Sequence, residues 1–193
     1  MRFVSILPLT AILLLGCGDE SSDDEKGFVG EWETECISLE GFNTRKSVTF
    51  FSNGRYEYTE VTFSDQACLT GPQTSLSSTG YYSASGNDGR LNVDFNVEVI
   101  EFVPKTLEVA SGYNQLAYCG LTSWDVEIPQ SLIGKTCADS EGKEITFVNT
   151  ESSDLQIIDV SNQLGNLQIG KRFLESSSQR QSELDNVIFN KTL

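Results

Sequence analysis

Chemistry in this chain rests with cysteine and carboxylate, because its 193 residues include no histidine. Histidine is the commonest general base near neutral pH and a common transition-metal ligand. Its absence rules out Ser-His-Asp and Cys-His nucleophiles. A Gly-rich phosphate loop and a Gly-x-Ser-x-Gly elbow are also missing. What remains are 28 acidic residues and five cysteines. Two carboxylates flanking a cleft can hydrolyse a glycoside, but among so many acids some pair meets by chance. Glu31, Glu33 and Glu35 alternate along one stretch and read as a solvated strand face. The sequence therefore predicts neither an enzyme nor a cofactor.

Cys17 sits apart from the other cysteines. Met1-Arg2-Phe3 brings one positive charge, and Val4 to Leu15 is apolar or small apart from Ser5 and Thr10. That run is well short of the roughly 20 residues that span a bilayer. A charged start before a short apolar run is a secretory signal. Within it, Leu14-Leu15-Gly16-Cys17-Gly18-Asp19 resembles a bacterial lipobox, where a lipoprotein precursor is acylated on cysteine and cut before it. The resemblance implies that residues 1–16 are removed and that acylated Cys17 becomes the N-terminus. Several acyl chains, at about 0.8 kcal/mol per buried methylene, hold stably where one is marginal. In enteric-type sorting an aspartate directly after the cysteine retains the protein in the inner membrane. Gly18 follows here, so the outer membrane is favoured over the inner membrane.

In an exported protein the four remaining cysteines, Cys36, Cys68, Cys119 and Cys137, read as two disulfides. Three pairings are possible. Cys36–Cys68 with Cys119–Cys137 is favoured because each closes a short segment, stabilising by roughly 3–4 kcal/mol apiece. No Cys-x-x-Cys spacing points to a metal. Asp19, Glu20, Asp23 and Asp24 lack the ligand order of a calcium loop. They fit a solvated tether over residues 17–27. Asp139-Ser140-Glu141-Gly142-Lys143-Glu144 reads as a polar hairpin turn rather than a calcium site.

Loss of residues 1–16 removes Arg2 and no acid, leaving 12 basic residues against 28 acidic ones, a net charge of −16. Such a surface repels nucleic acid, whose phosphates are bound by Lys and Arg. At 38% apolar composition the chain can bury a core, and residues 28–193 suit one domain.

The elements that would carry these residues are strands. Trp32, Thr34 and Cys36 alternate with glutamates. Arg45–Phe51 and Tyr56–Phe63 flank Ser52-Asn53-Gly54, a strong hairpin signal. Leu91, Val93, Phe95, Val97 and Val99 alternate with polar residues, and the apolar phase flips near Ile100 and Phe102, which predicts a bulge. Leu69–Thr79 reads as a polar loop or ragged strand. Trp124–Ile128 reads as short and extended, and four further strands follow at 143–148, 154–160, 167–173 and 186–190. One short helix is expected around Tyr113–Tyr118. The fold class is all-β: a single antiparallel barrel of eight to ten strands, with a β-sandwich as the alternative.

Phe28-Val29-Gly30-Glu31-Trp32 resembles the Gly-x-Trp start of the first strand in lipocalins and related calycin barrels. The wider pattern from Gly30 to Tyr82 is similar to that of small exported bacterial lipoproteins with lipocalin-like domains. The resemblance implies an eight-stranded barrel whose closed end is plugged by Trp32 under a basic side chain, Arg172 or Lys191. A barrel of that size is filled by its own side chains or holds one small ligand. Tyr56, Tyr58, Phe95, Val97 and Phe102 are the candidate lining residues for a small apolar ligand or lipid. The alternative function is a protein-interaction module of the cell envelope, acting through its outer surface.

Overall fold

The computed structural model describes residues 27–39, 42–87, 89–138, 142–161 and 165–192. Residues 1–26, and with them Cys17 and the acids of the tether, lie outside the described residues, as do Asp139, Ser140 and Glu141. In chain order the described strands are β1 (Gly30–Glu33), β2 (Ile37–Leu39), β3 (Phe42–Phe50), β4 (Arg55–Phe63), β5 (Pro72–Asn87), β6 (Arg90–Pro104), β7 (Gln130–Ser131), β8 (Thr136–Ala138), β9 (Glu144–Thr146), β10 (Ser153–Ser161), β11 (Asn166–Ile169) and β12 (Phe189–Lys191). One α-helix, α1 (Leu107–Leu116), lies between β6 and β7.

Eight of the strands form a closed antiparallel ring in the order β1, β12, β11, β10, β6, β5, β4, β3, with β3 pairing back to β1. Closure decides for the barrel over the sandwich. Along β3 and β4 every second residue points inward, so Val48, Phe50, Tyr56 and Tyr58 are buried. The turn between them is made by Asn53, whose side chain accepts the Arg55 N–H, and by Gly54 at φ +80°.

Strand β6 carries the expected bulge, two residues earlier than the apolar phase flip places it. Thr79 pairs with Val99 and Gly80 with Val97, leaving Glu98 as the extra residue. Leu91, Val93, Phe95 and Val97 are buried, Glu98 and Val99 both face outward, and burial resumes at Ile100. Gly80 crosses the bulge so closely that a Cβ would run into the backbone carbonyl of Asn96.

A second bulge shapes the first strand. Thr34 bonds Lys46 twice, donating its N–H to the Lys46 carbonyl while its side-chain hydroxyl accepts the Lys46 N–H. Ile37 then pairs with Thr44. Glu35 and Cys36 together thus oppose Arg45 alone, and such an insertion bends a strand. The bend is pinned by the Cys36–Cys68 disulfide, and Cys119–Cys137 ties the turn after α1 to β8. Both favoured pairings are present.

Of the two readings of Leu69–Thr79, loop or ragged strand, the strand holds from Pro72, where β5 begins. Its inward positions are Thr74, Leu76, Ser78 and Gly80, so no apolar alternation marks it. Trp124–Ile128 is not extended. Asn114 accepts the Trp124 N–H through Oδ1 and donates Nδ2–H to its carbonyl, fixing the buried indole beneath α1. The helix starts six residues before Tyr113, where the Thr106 hydroxyl caps it by accepting the Val109 N–H. Strands β9, β11 and β12 are shorter than expected, the last two because 170–188 is an excursion across one end of the barrel, whereas β10 is longer, running Ser153–Ser161.

Candidate functional site

The two ends of the barrel differ. At one end Phe28, Phe50 and Tyr82 pack edge to face, with ring centroids 5.0–5.4 Å apart. Trp32 is buried beside them and donates its indole N–H to the Phe28 carbonyl. Lys191 Nζ lies 5.2 Å from the Trp32 ring centroid, within cation–π reach. Trp32 faces Lys191 because they are directly paired across β1 and β12. Arg172 lies at the other end.

That other end is a mouth. The inward row of β3 runs Val48, Lys46, Thr44, and that of β4 runs Tyr58, Glu60, Thr62, so core gives way to polar groups. Lys46 and Glu60 are paired across the strands, with Nζ 3.4 Å from Oε2. The Tyr58 hydroxyl donates to the same carboxylate at 2.8 Å. Burial first, then the Glu60 charge, hold the Tyr58 phenol well above its ordinary pKa. It stays protonated and serves as a donor. Above this layer sits a cavity of about 410 Å³, whose apolar side is made by Leu76, Ile145, Phe147 and Phe173, with Arg172 and Glu175 at the rim.

Phe173 separates the cavity from the barrel interior. Its ring makes edge contacts with Tyr58 at 4.9 Å and Phe95 at 5.0 Å, and a longer one with Tyr56 at 6.4 Å. Arg172 and Leu174 on either side adopt left-handed backbone angles, φ 61° and 68°, which non-glycine residues adopt at some cost. The turn is held from within. The Leu174 N–H donates to Asp154 Oδ2 at 2.7 Å, and the Leu174 carbonyl accepts the Val148 N–H. Gln156 Nε2 donates to Asp154 Oδ1, while Gln156 Oε1 is buried without a hydrogen-bond partner. Burial raises the Asp154 carboxyl to about 6, against the hydrogen bonds from Gln156 and Leu174 that lower it.

Of the candidate lining residues, Tyr58 alone reaches the cavity. Tyr56, Phe95 and Val97 are core side chains, the Tyr56 hydroxyl bonding Ser78 Oγ at 2.9 Å. Phe102 packs with Tyr113, Tyr118 and Trp124 under α1. Sequence reasoning missed Lys46, Glu60 and Phe173. The first two share the inward parity of Val48 and Tyr58, and that parity was the available signal. Phe173 carried none. No protein-family model matches this sequence, and no curated protein matches it.

Proposed function

We propose that this chain is a bacterial envelope lipoprotein, anchored through Cys17, which binds a small apolar ligand or lipid without catalysis. The observation that carries the binding reading is the mouth cavity. Its volume of about 410 Å³ lies within the 300–1,000 Å³ usual for small-molecule sites. It joins an apolar wall to a fixed polar corner, Lys46, Glu60 and Tyr58. Such a site suits an apolar body with one polar end. The reading moves the ligand from the barrel centre, which Tyr56, Phe95 and Phe173 fill, to the mouth.

Native mass spectrometry of protein purified gently from an envelope fraction tests the reading. A reproducible extra mass that leaves on denaturation, and that Leu76→Trp prevents by filling the cavity, is expected. A bare mass that persists after incubation with envelope lipids would overturn it. For the anchor, Cys17→Ala is expected to release the protein from membranes, and unchanged fractionation would refute it.

A further inference from the structure

The ring closes between its first and last strands over two residue pairs only, Trp32 with Lys191 and Glu33 with Asn190. The bulge at Glu35 and Cys36 then carries the chain away from β12, and the Cys36–Cys68 disulfide holds it there. Beyond the bulge β2 pairs with β3 on one side and, among the described residues, with no strand on the other. Facing it, Asn186, Val187 and Ile188 make no backbone hydrogen bond among the described residues. Had the antiparallel register of β1 and β12 continued, these two stretches would have paired. A groove of about 710 Å³ separates them.

Two facing backbone edges are a template for one more strand. The groove also specifies which. Among the described residues that line it, Glu35 and Asp185 are the charged ones, with no Lys or Arg beside them. Ile37 stands on one wall and Ile188, half exposed, on the other. We propose that the seam is a strand-addition site for an extended segment of a partner protein that alternates lysine or arginine with apolar residues. Main-chain hydrogen bonds to both edges supply binding, and alternate side chains supply specificity. The two carboxylates select cationic side chains and speed encounter. The seam meets the mouth cavity at Asp185, which lines both, but strand addition does not require the mouth to hold a ligand.

Hydrogen exchange on the full chain in detergent, with and without a synthetic Lys-Val-Lys-Val-Lys peptide capped at both ends, tests this. Amides of Asn186–Ile188 and Ile37 are expected to exchange more slowly with peptide. Glu35→Lys is expected to weaken binding at least tenfold, whereas Glu108→Lys, an equal charge change on the exposed surface of α1, leaves it within twofold. A peptide N-methylated at alternate residues should not protect the seam. Equal weakening by both charge reversals, or equal binding of the N-methylated peptide, would reduce the effect to the general attraction of a chain of net charge −15 and overturn the proposal.

Discussion

Asp154 and Leu174 are joined across the barrel interior: the Leu174 N–H donates to Asp154 Oδ2 at 2.7 Å, and Asp154 as a residue is 1% exposed. This bond fixes the turn that places Phe173, yet it puts an acid where water cannot reach. Burial raises the carboxyl from 3.8 to about 6 in the folded protein, so the folded state holds its proton more tightly than the unfolded chain. Stability from this group is whole below pH 4. It falls as pH rises from about 4 to 6, and above that window the cost is complete at about 3 kcal/mol. Asp154→Asn removes the cost, and Gln156 can turn its unpartnered Oε1 toward the new amide. Urea unfolding is expected to show the variant gaining about 2–3 kcal/mol at pH 7.5 and progressively less toward pH 4.5. A gain that does not change with pH would refute the assignment.

Phe173→Ala takes away the ring between the mouth cavity and Tyr56, Tyr58 and Phe95. A buried Phe→Ala change costs about 3–5 kcal/mol. The ring is partly exposed, so a loss of roughly 3 kcal/mol is expected. The variant should also take up an apolar fluorophore several-fold more tightly than the parent, because the cavity then extends into the barrel. Titration by fluorescence checks this, and unchanged uptake would mean that the core collapses into the space.

What was legible in the sequence followed from local pattern. Inward parity along β3, β4 and β6 was readable because Val48, Phe50, Tyr56, Leu91 and Phe95 are large and apolar. Strand β5 was not, since its inward Thr74, Ser78 and Gly80 are small or hydroxylated to leave room for aromatics from neighbouring strands. The insertion of Phe173 was illegible for a different reason. It depends on Asp154 and Val148, 19 and 25 positions away, and on left-handed angles at residues that rarely take them. Disulfide pairing followed from proximity in the chain, a guide that worked because both links close local excursions.

Two glycines are expected to respond to the same substitution with opposite signs. Gly80→Ala drives a methyl into the Asn96 carbonyl and the Glu98 N–H, backbone atoms that a bulge holds in place. A loss of roughly 2–4 kcal/mol is expected. Gly112 lies within α1, where a Cβ meets nothing within 4 Å. Gly112→Ala is expected to gain about 0.5–1 kcal/mol from helix propensity alone. Denaturant midpoints of the two variants against the parent decide both.

Removing either disulfide by paired Cys→Ser changes should leave a folded barrel of lower stability. The links span separations of 18 and 32 residues, which the loop-entropy account values at roughly 3 and 3.5 kcal/mol. Cys36→Ser with Cys68→Ser carries a second expected outcome. With the bend at Glu35 and Cys36 unpinned, amide exchange in β2 quickens while that of β6 keeps its rate. Equal acceleration in both would show that this link stabilises the whole barrel rather than its seam.

Lys191, stacked on Trp32, also lies within 3.5 Å of the Gly27 carbonyl, so both termini of the described chain meet at the plugged end. The opening at Lys46 and Glu60 faces the opposite way. Nine residues lie between Cys17 and Gly27, a leash of ten Cα steps that stretches to at most about 35 Å. A lipid on Cys17 would therefore be attached at the plugged end, leaving the opening at the end away from the point of attachment.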